Sequence, residues 1–207
     1  MAVKRRYRSD RRAAAALATR ADITAAARRL FVANGYASTS IVAIAAEAGV
    51  AVQTVYAVFG NKRAVLESML DVLDDQAGLE ALKRGLEDPS AARQAAAVAA
   101  FMAQLFDRGA DIIAVARGAS ASEPALRALA AEGLVRHQRG TARVATGWHR
   151  GKALRPGLSA ADAAAILGAI ASYEVYQQLR GSGWTLRRYE RWLAATIVTL
   201  LLREAAE

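Results

Sequence analysis

The chain has no cysteine, two histidines and three prolines in 207 residues. Without cysteine there is no disulfide, no thiolate metal site and no thiol nucleophile. His137 and His149 are too few for a multi-histidine metal centre. No uncharged run reaches the roughly 18 residues needed to cross a bilayer, so no membrane partner is expected. The basic N-terminus is not followed by an apolar stretch with a cleavage site, so a secretory signal is not expected and the protein reads as cytoplasmic. Glycine-rich phosphate loops are missing too. The RGSG at 180–183 is too short and follows a helical pattern, so it is no dinucleotide fingerprint. No serine has a readable histidine or aspartate partner. An enzyme is therefore not expected, and no cofactor is expected.

Acidic residues are scarce at one end. Residues 1–62 hold 10 Lys/Arg against 3 Asp/Glu, a net of +7, and the other 145 residues hold 18 against 16, a net of +2. A formal charge of +9 gathered this way is either a solvated tail or an electrostatic footprint for a polyanion. Residues 1–12 carry Lys4, Arg5, Arg6, Arg8, Arg11 and Arg12 with almost no apolar content. They are expected to form a disordered basic arm, of the kind that lies along phosphates or merely aids solubility.

What the sequence does have is centred on residues 39–62, TSIVAIAAEAGVAVQTVYAVFGNK. Ile41, Ile44, Ala45 and Ala48 mark one face of a short helix, and Val52, Val55, Tyr56 and Phe59 repeat the spacing after Gly49. Thr39 and Ser40 are N-cap residue types, and Gly49 suits the left-handed residue that ends a helix. Two such helices are either an ordinary hairpin in a core or a helix-turn-helix, whose second helix enters the DNA major groove. A preceding helix over 20–34, with Ile23, Ala26, Ala27, Leu30 and Phe31 as its stripe, would brace the pair. Asn61 caps a fourth helix through Val65, Leu66, Met69, Leu70 and Leu73.

No alternating strand pattern longer than about four residues occurs, and the spacing predicts an all-α protein. Beyond residue 77, Gly78 and the GLEDPS at 85–90 form a break. Helices are predicted over 91–106 and 111–119, with punctuation at 120–124 and a long helix from Pro124 towards Trp148. A loop at 149–159 precedes a helix capped by Ser159 and striped by Ala163, Ile166, Leu167, Ile170 and Tyr173. A last helix is striped by Tyr189, Trp192, Leu193, Thr196, Ile197 and Leu200. These broad apolar faces pack within one chain or against a second copy across a two-fold axis.

The order LF-x-x-x-GY, TS-I-x-x-IA-x-x-AGV, T-V-Y-x-x-F-x-NK, within residues 20–66, resembles the tetracycline-repressor (TetR) family of bacterial transcriptional regulators. Residues 157–202 resemble a subset of the same family, less specifically. The resemblance implies a three-helix DNA-binding domain joined by a fourth helix to a helical domain that dimerises through its last two helices and holds an effector pocket. The domain border is expected near 66/67. On matching positions it implies phosphate contacts by Thr39, Ser40, Tyr56 and Lys62, and base contacts by Gln53 and Thr54. Glutamine there pairs bidentately with adenine. The dimer interface is expected to include Ile166, Ile170, Tyr189, Trp192, Leu193, Thr196, Ile197 and Leu200. The local readings stay open beside these: Thr39 as a cap, Tyr56 as core, Gln53 as a solvated side chain.

The sequence departs from the family at two positions. Ala51 stands where a hydroxyl residue usually caps the recognition helix, and Val58 stands where histidine is often found. That helix carries no charge, so arginine-to-guanine readout from it is excluded. The expected function is a dimeric repressor on a palindromic double-stranded operator, released by a small molecule. The alternative is a helical small-molecule or interaction module with weakened DNA binding. Phe101, Leu105, Trp148, Tyr173 and Tyr176 are candidates to line a cavity for a largely apolar effector, or else are plain core.

Overall fold

The computed structural model describes residues 2–120 and 124–203, and of residues 2–12 and 125 the backbone alone. Among the described residues there are eleven α-helices and no strand, apart from an isolated antiparallel bridge between Leu154 and Leu202. The all-α reading holds. No single helix among them is long and apolar enough to cross a membrane.

The chain folds into two compact units, Met1–Asp71 with Asp111–Leu129, and Val72–Ala110 with Ala130–Glu207. The border expected at 66/67 thus lies at 71/72, and a later segment returns to the first unit. The return has a local cause. Arg28 on the first helix holds Asp111 through two bonds, Nε to Oδ2 at 2.9 Å and Nη2 to Oδ1 at 2.6 Å. Ile112, next to Asp111 in sequence, is fully buried, and so is Leu126 further along the returning segment.

In the first unit α1 (Ala2–Asn34) packs on α2 (Ile41–Glu47) and α4 (Lys62–Asp71), while α3 (Val52–Phe59) packs on α2 and α4. Ile23, Ala26, Ala27 and Phe31 are fully buried, as the stripe predicts. The disordered arm is a correction: the backbone of residues 2–12 continues α1. Extending an existing helix needs no new nucleus, and alanine and arginine are strong helix formers. The basic side chains of that segment lie outside the described residues.

The second unit begins with α5 (Leu73–Gln76) and α6 (Leu79–Leu86). The predicted fourth helix stops short of Leu73, because the chain breaks at Val72 and again at Gly78, whose φ of 89° is open to glycine. Next, α7 (Ala91–Ser120) joins the two helices expected at 91–106 and 111–119. The DRGA between them holds no proline, and one glycine costs only about 1 kcal/mol in a helix. The break expected at 120–124 falls mostly on 121–123, outside the described residues. α8 (Pro124–Arg150) runs as predicted through Gly133, Gly140 and Gly147.

The predicted penultimate helix is in fact two, α9 (Ala160–Ile170) and α10 (Tyr173–Gly181). Ser172 takes an extended conformation and its Oγ accepts the Val175 N–H, so a new N-cap interrupts the stripe. α11 (Leu186–Leu201) packs against both.

Candidate nucleic-acid interface

The first unit presents its short helices through a turn fixed by backbone chemistry. At the end of α2, Gly49 (φ 67°) donates to Ala46 O at 3.2 Å and Val50 donates to Ala45 O at 3.0 Å. This is a Schellman stop, and it needs the left-handed glycine. The axes of α2 and α3 bend by 107° across it, within the range of a helix-turn-helix. Ser40 is the N-cap of α2, its Oγ accepting the Ala43 N–H at 3.1 Å. Ala51 gives α3 no side-chain cap, as the sequence foretold. Asn61 Oδ1 accepts the Ala64 N–H at 2.8 Å and so starts α4.

Within α3 the side chains divide by face. Val55 and Phe59 are buried, whereas Gln53 is exposed and Thr54 half-buried at the head of the helix. Tyr56 is 52% exposed, which excludes the reading of that ring as core. Tyr56 and Lys62 line an open depression of about 390 Å³ whose remaining wall is residues 37–42, with no acidic side chain. Lys62 Nζ sits 4.2 Å above the Tyr36 ring and donates to the carbonyls of Tyr36 (2.9 Å) and Ala37 (3.4 Å). The ammonium is therefore aimed by its partners at one rim of the depression.

Thr39 differs from its neighbours. It is 3% exposed, and its hydroxyl donates inward to Gly35 O (2.9 Å) and Leu30 O (3.2 Å). Its side chain braces the turn after α1 instead of facing outward, a correction to the expected phosphate contact. Ser40 uses its oxygen as an acceptor in the cap, leaving its O–H proton to donate from an exposed position. The depression thus gathers Ser40, Tyr56 and Lys62, while Gln53 and Thr54 stand apart from it at the start of α3.

Sequence reasoning missed the arginines that hold the pair. Arg20 on α1 donates to Val58 O at 3.3 Å and stacks 4.3 Å from the Phe59 ring centre. Arg29 meets Glu47, the last residue of α2, at 2.9 Å. The one available signal for Arg20 was its place three residues before Ile23, on the stripe that faces the pair.

In the second unit the candidate cavity residues are tied into packing. The Trp148 indole is 1% exposed and donates to Gln94 Oε1 at 2.8 Å. Tyr173 Oη donates to Ala110 O at 2.8 Å, and Tyr176 Oη to Asp107 at 3.3 Å. Phe106, absent from the prediction, bridges them, with ring centres 5.9 Å from Tyr173 and 5.4 Å from Tyr176. Phe101 and Leu105 are half-buried on α7. Burial, then the negative Asp107, pushes the Tyr176 hydroxyl above its ordinary pKa.

The stripe predicted for the dimer interface also divides. Tyr189, Leu193 and Ile197 are fully buried inside the single chain and are corrected to core. Ile166, Ile170, Trp192 and Thr196 are half-buried, and Leu200 is 44% exposed. The broad stripe wraps around α11, so one side serves the chain's own core and the other side remains outward.

Among known proteins, residues 23–69 match the family model described as bacterial regulatory proteins, tetR family. No curated protein matches the sequence significantly. Solved structures show the fold: SmeT in complex with triclosan is 21% identical, with a TM-score of 0.75 over 91% of this chain and 93% of that one. NalD, the secondary repressor of the MexAB-OprM multidrug efflux pump in Pseudomonas aeruginosa, is 22% identical, with a TM-score of 0.71 over 90% and 97%. A protein from Saccharomonospora viridis in complex with choline is 20% identical, with a TM-score of 0.69 over 89% and 98%. Residues 23–69 are thus similar to the tetR family of bacterial regulatory proteins, and the chain as a whole shares the fold of these solved structures.

Proposed function

We propose that the protein is a homodimeric repressor that binds a palindromic DNA operator and leaves it when a small, largely apolar effector binds the second unit. The observation that carries this reading is the acid-free depression holding Ser40, Tyr56 and Lys62, in a unit that also leaves Gln53 exposed at the head of α3. A phosphate seated there would accept from a hydroxyl, a phenol and an ammonium, the donor types that position a protein on a duplex. Gln53 and Thr54 would then reach base edges. The outward side of α9 and α11, with Ile166, Ile170, Trp192, Thr196 and Leu200, is the surface we assign to the partner copy.

In this mechanism the dimer sets two α3 helices about 34–36 Å apart, to match successive major grooves. An effector that binds better to a dimer of different spacing shifts the population away from DNA. Repression is the printed role of NalD, and triclosan and choline are the printed ligands of two proteins of this fold. The aromatic content around Phe106, Tyr173 and Tyr176 favours an apolar or aromatic effector. The protein is expected in the cytoplasm, where the operator is.

Selection of bound sequences from random DNA, followed by affinity measurements across a salt series, tests the reading. The expected result is one enriched palindrome with a steep salt slope. Lys62→Ala should lower the log–log slope by about 0.9 per lost phosphate contact, and deleting residues 2–12 should lower it further if the arm grips DNA. Gln53→Ala should relax discrimination at one base pair per half-site, by about 1–3 kcal/mol. Absence of any enriched sequence would favour the interaction-module alternative, which the uncapped, uncharged α3 supports.

A further inference from the structure

The restraints on α3 are unequal at its two ends. Its start has only the backbone turn from Ala51 and no side-chain cap. Its finish leaves carbonyls that lack an intrahelical donor, as every helix end does. Gly60 takes the Tyr56 carbonyl at 2.8 Å, and Arg20 takes that of Val58. The same guanidinium lies over Phe59, a ring buried at 9% exposure. A cation over the ring face and at the negative end of a helix is favourable on both counts.

Arginine performs both contacts at once because its plane stacks while its edge donates, which a lysine ammonium does not reproduce. Both Arg20 and Arg29 are exposed, but Arg29 makes a single ion pair with Glu47, of the kind that contributes little, whereas Arg20 combines a hydrogen bond with a stack on a buried ring. An eight-residue helix has scant stability of its own, so its angle depends on what grips it. The grip comes from α1, which packs on α2 and α4, the two helices that flank α3.

We infer that Arg20 is a positioning residue for base readout: it fixes the angle of α3 by clamping its Val58–Phe59 end to α1. The inference rests on the DNA-binding reading above. Loss of the clamp lets α3 tilt, which harms contacts that need alignment with base edges more than contacts with phosphates.

Two measurements on the full chain test it. In the free protein, Arg20→Ala should speed hydrogen exchange of the α3 amides about tenfold and leave those of α2 and α4 unchanged. Unchanged α3 protection would overturn the clamp. On DNA, with the sequence enriched by the wild type and an unrelated duplex, Arg20→Ala should cut the ratio of specific to non-specific affinity about tenfold at an unchanged salt slope. Arg20→Lys should fail to restore that ratio. Phe59→Leu, which removes the ring face but keeps an apolar core residue, should reproduce the loss and be non-additive with Arg20→Ala. A uniform loss on both duplexes with a slope lower by about 0.9, rescued by Arg20→Lys, would make Arg20 a phosphate ligand and overturn the inference. A wild type that enriches no sequence would overturn the DNA-binding reading and this inference with it. The exchange measurement separates that failure from a missing clamp.

Discussion

The two units solve the problem of fixing helices in different ways. In the first, α2 and α3 are seven and eight residues long; a serine starts α2, a left-handed glycine ends it, and Arg20 reaches from α1 to the end of α3. In the second, Ser90, Ser159, Ser172 and Thr185 cap helix starts as well, and aromatic rings with polar tips add a further means of fixing: Trp148 on Gln94, Tyr173 on Ala110, Tyr176 on Asp107. Short helices with an exposed working face cannot be positioned by bulk burial, so each needs a specific restraint. The second unit adds buried aromatic anchors to the same kind of end signals. One consequence is that the first unit keeps polar side chains outward on the same helix that supplies core, while the second turns even its tyrosines inward.

If burial rules the second unit, the largest loss should come from its fully buried apolar groups. Leu193→Ala should cost about 2–5 kcal/mol in denaturant unfolding, while Leu200→Ala should cost under about 1 kcal/mol. A similar cost at both positions would break the contrast drawn between the two sides of α11. Close approach of helices gives the next effect. A Cβ at Gly85 would lie 2.4 Å from the Ala97 Cβ, so Gly85→Ala should destabilise by about 1–3 kcal/mol despite its better helix propensity. A raised melting temperature would show that α6 and α7 do not meet there.

Smaller effects test the polar tips. The Tyr189 hydroxyl is buried without a hydrogen-bond partner among the described residues, beside the Tyr176 ring at 5.1 Å. Burial, and then Tyr176, pushes its pKa well above that of ordinary tyrosine. Tyr189→Phe should therefore be neutral or stabilising by about 1 kcal/mol, whereas Tyr176→Phe, which loses the bond to Asp107, should destabilise by a similar amount. Calorimetry of the two variants reads both signs.

The smallest effect concerns the first unit and pH. Burial alone would raise the Asp111 pKa, but the Arg28 guanidinium and the Ile112 N–H outweigh it and hold the carboxyl below its ordinary value. A depressed carboxylate contributes stability that is present above its unfolded pKa, about 4, and is lost as pH falls through the folded one. Unfolding midpoints of wild type and Asp111→Asn should differ at pH 7 and converge as the solution is acidified below that range. A gap that persists into acid would mean that the pair is not the source of the difference.

Much of the first unit was legible because its signals are local. Gly49, Ser40 and Asn61 state where helices stop and start, since each satisfies a backbone group within three or four residues of itself. The inward turn of Thr39 was not legible. The same hydroxyl serves equally as a cap, a phosphate donor or a brace, and the carbonyls of Leu30 and Gly35 decided it. In the second unit, Ser172 shows the reverse problem. A serine inside an apolar stripe carries no sign of becoming a cap until the chain on either side is packed.

By itself the sequence determined that this is an all-α protein with a basic end, a pair of short helices joined through a glycine turn, and a second helix of that pair that lacks both charge and a side-chain cap. Those properties follow from periodicity, residue type and nearest-neighbour chemistry, which need no knowledge of distant chain. The tertiary structure alone decided that Arg20 grips the end of α3, that Lys62 is aimed by Tyr36, and that Asp111 returns to Arg28. It also decided which side of α11 is core. Each joins residues far apart in the chain, and no local pattern states which of many possible partners the fold will bring within reach.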